Sequence, residues 1–201
     1  MTEIDIRAVY LRDVIRQFRY YKSLGDNALA TAPDDQLHTE LDTNSNSIAI
    51  IVKHVGGNLR SRFRDFLTTD GEKPDRLRDT EFEITAPASR EEILGWWNGG
   101  WTNLMDTLNA LTPADLDRTI AIRSEPFLVI EALDRSLAHV SYHVGQIVYL
   151  ARHFAGPAWT SLTIPKGGSA QAAAAGGNFK ATADGQKCSD LFRRSRARVR
   201  R

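Results

Sequence analysis

Hydrophobic residues recur at helical spacing in four long segments of the chain, separated by polar stretches that lack this period. The first segment, residues 4–30, shows the spacing at Ile6, Val9, Tyr10, Val14, Phe18 and Tyr21. The same spacing returns in residues 47–67, 89–111 and 129–154. An apolar stripe with this period is typical of an α-helix that buries one face. The pattern predicts four long amphipathic helices.

The segments between these helices predict turns and one small hairpin. Residues 70–88 are polar and poor in helical periodicity, so we expect them outside the core, as a lid or rim. Hydrophobic residues alternate on both sides of residues 123–126, which predicts a short irregular hairpin before the last long helix. Four long helices make the fold class all-α, and a four-helix bundle is the economical arrangement, with ligands supplied from facing helices.

The composition suits one domain with an appended tail. The chain has 201 residues, of which 42% are hydrophobic. Residues 180–201 hold eight basic and two acidic side chains, and residues 172–177 are only alanine and glycine. We therefore predict a bundle over residues 1–168 and a disordered or loosely attached tail over 169–201. So short a basic patch without aromatic residues favours a solvated tail, and we expect no nucleic-acid partner.

Several sequence features bear on compartment. The single cysteine, Cys188, cannot form an internal disulfide. The N-terminal residues 1–5 lack the basic-then-apolar order of a signal peptide. No apolar run approaches the roughly 20 residues of a membrane span. These features predict a cytoplasmic protein without a membrane partner.

Two histidines in the last long helix are candidate metal ligands. His139 and His143 stand four residues apart, so on a helix they lie one turn above the other on one face, beside the apolar stripe. The spacing suits two imidazoles binding one metal ion, but core or surface histidines show it too. A third ligand from elsewhere is required.

His54 lies on the flank of the second helix, next to an unusual pair of glycines. Each of Gly56 and Gly57 costs about 1 kcal/mol relative to alanine in a helix interior. The pair therefore predicts close helix packing or access to a site beside His54. On this segment alone, a core histidine at a tight helix crossing is an equally good interpretation.

Four stretches of the chain together resemble the DinB superfamily, in particular a branch known chiefly as a domain of unknown function. They are residues 54–58 (HVGGN), 65–74 (DFLTTDGEKP), 135–147 (RSLAHVSYHVGQI) and 161–167 (SLTIPKG). The resemblance covers residues 5–168. It implies a four-helix bundle, frequently a homodimer, with one divalent metal ion held by His54, His139 and His143. It assigns neither His38 nor His153 to the site.

The number of ligands suggests the chemistry. Three imidazoles leave an open position on a four-coordinate metal, with Zn²⁺ or Ni²⁺ the ions most expected at such a site. A bound water there would be acidified and a coordinated thiol deprotonated. Two reaction classes follow for a small-molecule substrate: metal-dependent hydrolysis, and thiol S-transfer or thiol-dependent isomerisation. Enzymes of the superfamily that depend on low-molecular-weight thiols favour the second class, with such a thiol as cosubstrate.

A non-catalytic role is the competing interpretation. No obvious general base lies near the histidines in sequence, which is compatible with a metal-binding or stress-associated interaction protein. A di-iron carboxylate bundle is disfavoured, because it needs two Glu-x-x-His motifs and this chain has none.

Helical spacing also indicates residues that could support the metal ligands. Asn58 lies one turn beyond His54, and Gln146 lies about one turn beyond His143. Either side chain could hydrogen-bond a ligand or a metal-bound water. Arg62 could meet an anionic group, although we expect it at the surface. Tyr142 is expected to point away from the histidine pair, to pack or to face solvent.

Overall fold

The computed structural model describes residues 4–174 and contains the four predicted long helices. They are α1 (Ile6–Thr31), α2 (Ile48–Phe63), α3 (Arg90–Ala110) and α4 (Val129–Ala155). The all-α bundle is confirmed, and most helix ends lie within two residues of the prediction. The exception is α2, which ends four residues before the predicted Leu67, ahead of a turn in which Asp65 has a φ of 50°.

Polar side chains set the starts of the first three helices. Asp5 accepts hydrogen bonds from the backbone N–H groups of Arg7 and Ala8. Ser47 accepts one from the N–H of Ile50 at 3.3 Å. Ser89 and Glu92 form a reciprocal capping box. Each bond satisfies a donor that has no partner inside its own helix.

The core lies between the helices, where α1 packs mainly on α4 and α2 mainly on α3. Trp97 and Trp101 of α3 are both fully buried, as expected for residues that pack the core. Trp96 is only partly buried against this core. Helix α2 also packs on α4, and this contact brings together the two helices that carry the candidate ligands.

Gly56 lets α2 and α3 approach at backbone distance. A Cβ at Gly56 would lie 2.3 Å from the carbonyl oxygen of Trp96, and a Cβ at Gly100 would lie 2.6 Å from the carbonyl oxygen of Gly56. Neither distance is possible for a real side chain, so both positions require glycine. Close packing was one of the two predicted reasons for the glycine pair, and it accounts for Gly56.

The predicted hairpin is present as two paired antiparallel strands, β1 (Thr119–Ile122) and β2 (Glu125–Leu128). It is more regular than expected, because all four residues of each strand pair. The turn residues Arg123 and Ser124 have φ of 57° and 63°. Asp70 accepts both of their backbone N–H groups, at 2.9 and 2.7 Å, which holds a turn that lacks glycine.

The segment between α2 and α3, residues 64–89, packs closely against the bundle. It contains a short 3₁₀ turn, Asp79–Phe82, that packs on α2. Lys73 and Glu81 are each only 6% exposed, and the Arg76 side chain is 4% exposed. None of residues 70–88 belongs to the buried hydrophobic core, as expected, but these three charged side chains are buried. Arg76 pairs with Glu81, and Lys73 donates to the backbone carbonyl of Asp70.

The chain continues beyond the bundle into a short helix, α5 (Ser169–Ala174), in which Ala172 is buried. The rest of the predicted tail, residues 175–201, lies outside the described residues. The division at residue 168 stays a prediction. Within residues 4–174, no helix combines the length and the apolar character needed to cross a membrane.

Candidate metal centre

Three histidines from two helices meet at one point of the bundle. His54 comes from α2, and His139 and His143 come from α4. One ring nitrogen of each lies within 4.8 Å of the others, so the three could hold a metal ion. The Nε2 atoms of His54 and His139 are 3.2 Å apart. Two nitrogen ligands of a tetrahedral zinc ion would be roughly 3.3 Å apart, so this pair has the spacing of two ligands of one metal ion.

Buried nitrogens without partners also fit a metal. Nε2 of His143 and Nδ1 of His139 are buried, and neither has a hydrogen-bond partner in the described part of the chain. A buried polar atom left without a partner costs about 1–3 kcal/mol. Binding of a cation to Nε2 of His143 would remove one of these penalties.

Glu81 orients His54 from the loop side. Its Oε2 atom lies 2.8 Å from Nδ1 of His54. An ionised carboxylate can only accept, so Nδ1 carries the proton and donates, which leaves the lone pair on Nε2 facing the other histidines. A carboxylate behind a histidine ligand in this way fixes the ring and makes it a better donor to metal.

Arg76 and Gly57 hold this carboxylate in place. The Arg76 guanidinium donates from Nε and Nη2 to the two carboxylate oxygens, at 2.8 and 2.9 Å. A Cβ at Gly57 would lie 2.3 Å from Oε1 of Glu81, so only glycine admits the carboxylate against α2. Burial opposes its charge, but the hydrogen bonds from Arg76 and His54 outweigh burial and hold the pKa of Glu81 below its usual range.

Gln146 orients the ring of His143, as Glu81 orients the ring of His54. Its amide oxygen lies 2.7 Å from Nδ1 of His143, so this nitrogen donates and Nε2 keeps its lone pair. Burial lowers the pKa of His143 to about 4, with the nearby His54 adding to the effect and the Gln146 bond opposing it. Burial and the neighbouring His143 and His54 lower the pKa of His139 to about 3. Both rings are therefore neutral at pH 7, the form that binds metal.

Two aromatic rings flank the histidines. Phe82 of the loop lies with its ring centre 4.7 Å from that of His54. The ring of Tyr142 lies 4.2 Å from that of His143 and 5.3 Å from that of His139. The expectation that Tyr142 points away from the histidine pair is wrong, although its side chain is exposed as expected.

The other candidate residues differ in their burial and in their partners. Asn58 is buried one turn beyond His54, but no hydrogen bond joins it to the histidines in the part of the chain described. Arg62 is buried, which contradicts its expected surface position. It is buried because Nη2 pairs with Glu72 at 3.1 Å, while Nη1 has no partner within residues 4–174.

The two remaining histidines lie outside the cluster. His38 donates a hydrogen bond to the Ala88 carbonyl, and His153 is exposed beside Phe154.

Sequence reasoning missed Glu81 and Arg76. Neither lies on a periodic segment, and neither is near a histidine in sequence. The one available signal was Gly57, whose missing side chain leaves room beside His54 for a group from elsewhere.

A comparison with protein-family models finds a match over most of the chain. Residues 5–168 match the family described as "Protein of unknown function (DUF1572)". A comparison with curated proteins finds no significant match. The match spans all four long helices and the three histidines, and the chain therefore belongs to the DUF1572 family.

Proposed function

We propose that this protein is a DinB-like, divalent-metal-dependent enzyme in which His54, His139 and His143 hold one metal ion. The observation that carries the proposal is the cluster itself, with its ligand nitrogens within 4.8 Å of one another. Two of the rings are already oriented for binding, since Glu81 and Gln146 occupy their outer nitrogens. The resemblance to the DinB superfamily supports the same three ligands.

The donor set favours Zn²⁺ or Ni²⁺. Three imidazoles and no carboxylate in the first coordination sphere suit borderline metals rather than Mg²⁺ or Ca²⁺. Three protein ligands leave a position for a further group, whereas a structural zinc site fills all four. A metal held there would acidify a water or thiol bound at that position.

The charges around the site favour an anionic partner such as a low-molecular-weight thiol with carboxylate groups. Arg62 has a buried Nη1 atom without a partner among the described residues, and the charges of Arg62 and Arg76 contribute to the low pKa of His139. Both guanidinium groups therefore act electrostatically on the site and would stabilise a thiolate there. We propose a thiol S-transferase, or a thiol-dependent isomerase, acting on a small-molecule substrate.

A homodimer in the cytoplasm is the assembly and compartment that we propose. Large hydrophobic side chains are exposed on the first and last long helices, including Ile6 and Tyr149, and the resemblance implies dimers. The lone Cys188 suits a reducing compartment. Light scattering on the eluting protein would distinguish a mass of about two chains from the 22.4 kDa of one chain.

The proposal is tested in two steps on protein purified without a histidine tag. The bound metal is measured first. Conjugation of a chromogenic aryl halide is then followed with cysteine and glutathione as thiols. In this reaction the sulfur forms a bond to carbon, halide leaves with the bonding electrons, and the thiol proton passes to solvent. We expect turnover that is lost on metal removal and restored by adding metal back.

Other outcomes identify other functions. Turnover confined to hydrolysis of an ester or amide would replace the proposal with a metal-dependent hydrolase. Bound metal without turnover on any thiol or hydrolysable substrate would indicate a metal-binding or stress-associated interaction protein. Absence of metal at neutral pH would overturn the proposal altogether.

A further inference from the structure

A cleft of about 360 Å³ opens between α2, α3 and the loop that follows α2, and its lining is strongly cationic. The cationic side chains are those of Lys53, Arg60, Arg64, Lys73 and Arg76. The three histidines are not among the lining residues. The cleft is therefore a separate space from the metal centre, with Arg76 and Glu81 at its border.

Within the described residues, only two of the five cations have a carboxylate partner. Arg64 pairs with Asp75 through two bonds of 2.5 and 2.9 Å, and Arg76 pairs with Glu81. Within residues 4–174, no carboxylate lies at salt-bridge distance from Lys53, Arg60 or Lys73. Lys53 donates to the backbone carbonyls of Thr80 and Glu83 at 2.6 and 2.7 Å instead. Three positive charges therefore line one cleft without a carboxylate to balance them.

Lys73 is the most unusual of the three. Its side chain is almost fully buried, and its Nζ atom donates to the backbone carbonyl of Asp70. An ammonium group has three donors, and burying one without an anion is costly. Burial accordingly lowers the pKa of Lys73, and the nearby Arg64 adds to the effect. An anion in the cleft would compensate this cost.

The opposite wall is apolar and open. Trp96 lines the cleft, with the Lys53 ammonium 5.7 Å from its ring centre. Gly95 and Gly99 also line it, and a Cβ at either position would meet no atom within 4 Å. A flat ring beside free space suits the organic part of a small molecule, with its charged end among the cations.

We propose that this cleft binds a small molecule that carries a phosphoryl group. A phosphoryl group brings close to two negative charges and three acceptor oxygens, which match the three cations that lack a carboxylate partner. A single carboxylate would leave two of the three without a counter-charge. The site is independent of the proposed metal chemistry, and its ligand would lie across the Arg76–Glu81 pair from His54.

The test uses inorganic pyrophosphate, titrated by calorimetry at constant ionic strength into the full-length protein after chelation and desalting. We expect saturable binding at one site. Arg60→Gln removes an exposed charge that has no ion pair in the described chain, and should weaken binding about ten-fold, the effect of one lost charged contact. The matched control is Arg12→Gln, an exposed arginine of α1 that also has no ion pair there and should bind as the wild type does.

A second variant tests the position of the site without removing any contact. Gly99→Asp places a carboxylate on the cleft wall where a side chain has free space, and should abolish binding while the helical circular dichroism stays unchanged. The proposal is overturned if pyrophosphate shows no saturable binding, if Arg60→Gln or Gly99→Asp binds like the wild type, or if Arg12→Gln loses as much as Arg60→Gln. Acetate binding as tightly as pyrophosphate would overturn the phosphoryl assignment.

Discussion

The metal centre joins two regions that hold their side chains in different ways. Helices α2 and α4 present the three histidines, and hydrophobic packing fixes their positions. The loop of residues 64–89 presents Glu81, and ion pairs with Arg76 fix its position. A change of volume should therefore damage the helical region, whereas a change of charge should damage the loop region. The comparison can be tested by changing one property at a time.

The largest effect is expected where α2 meets α3. Gly56→Ala places a Cβ 2.3 Å from the Trp96 carbonyl oxygen, so the helices must separate, at a cost of about 3 kcal/mol in the free energy of unfolding. Gly99→Ala is the matched control, since its Cβ meets nothing within 4 Å and should stabilise α3 by up to about 1 kcal/mol. Urea unfolding measures both. Equal stability of the two variants would contradict the tight crossing.

A change of charge in the loop should act on the metal instead. Glu81→Gln keeps the size of the side chain but removes the charge that orients His54. Loss of such a partner typically weakens metal binding about 10- to 100-fold. The control is Asp79→Asn in the same 3₁₀ turn, where the side chain is 95% exposed. If both variants bind metal as the wild type does, Glu81 has no role in the centre.

The sequence predicted the helical region much better than the loop. Apolar periodicity was sufficient for four helices, because burial of one face is what forms them. The spacing of His139 and His143 placed both on one face, and the resemblance added His54. Glu81 could not be predicted in this way, since its position depends on an ion pair within an aperiodic loop.

Arg62 also shows that the burial of a charged side chain could not be predicted from the sequence around it. We expected it at the surface, but burial of a guanidinium depends on its partners. The partner is Glu72 of the loop, and the sequence of α2 contains no local feature that predicts this ion pair.

The smallest effect concerns pH in the metal-free protein. The pKa values of His139 and His143 fall from 6.5 to about 3 and about 4 on folding. Below about pH 6.5 the unfolded chain therefore binds protons that the folded protein does not bind. The free energy of unfolding consequently falls as the pH drops from 6.5 toward 4. Each ring takes up at most one proton, which limits the slope to about 1.4 kcal/mol per pH unit for each ring. Screening by water keeps the slope well below that limit.

Comparison of the wild type with a His139→Gln, His143→Gln double variant isolates this contribution. Unfolding is measured in chelator at pH 7, 6 and 5. We expect the wild type to lose more stability than the variant between pH 7 and 5. Parallel losses would show that the two rings do not titrate as described.

The most direct test of the account is metal content at neutral pH in untagged His54→Ala, His143→Ala and His153→Ala. The first two remove a ring nitrogen from the cluster, and the third removes an exposed histidine of the same α4 helix. We predict that His54→Ala and His143→Ala lose the metal while remaining helical, because the bundle core does not depend on it. We predict that His153→Ala keeps the wild-type content. Equal occupancy in all three variants would contradict the three-histidine centre.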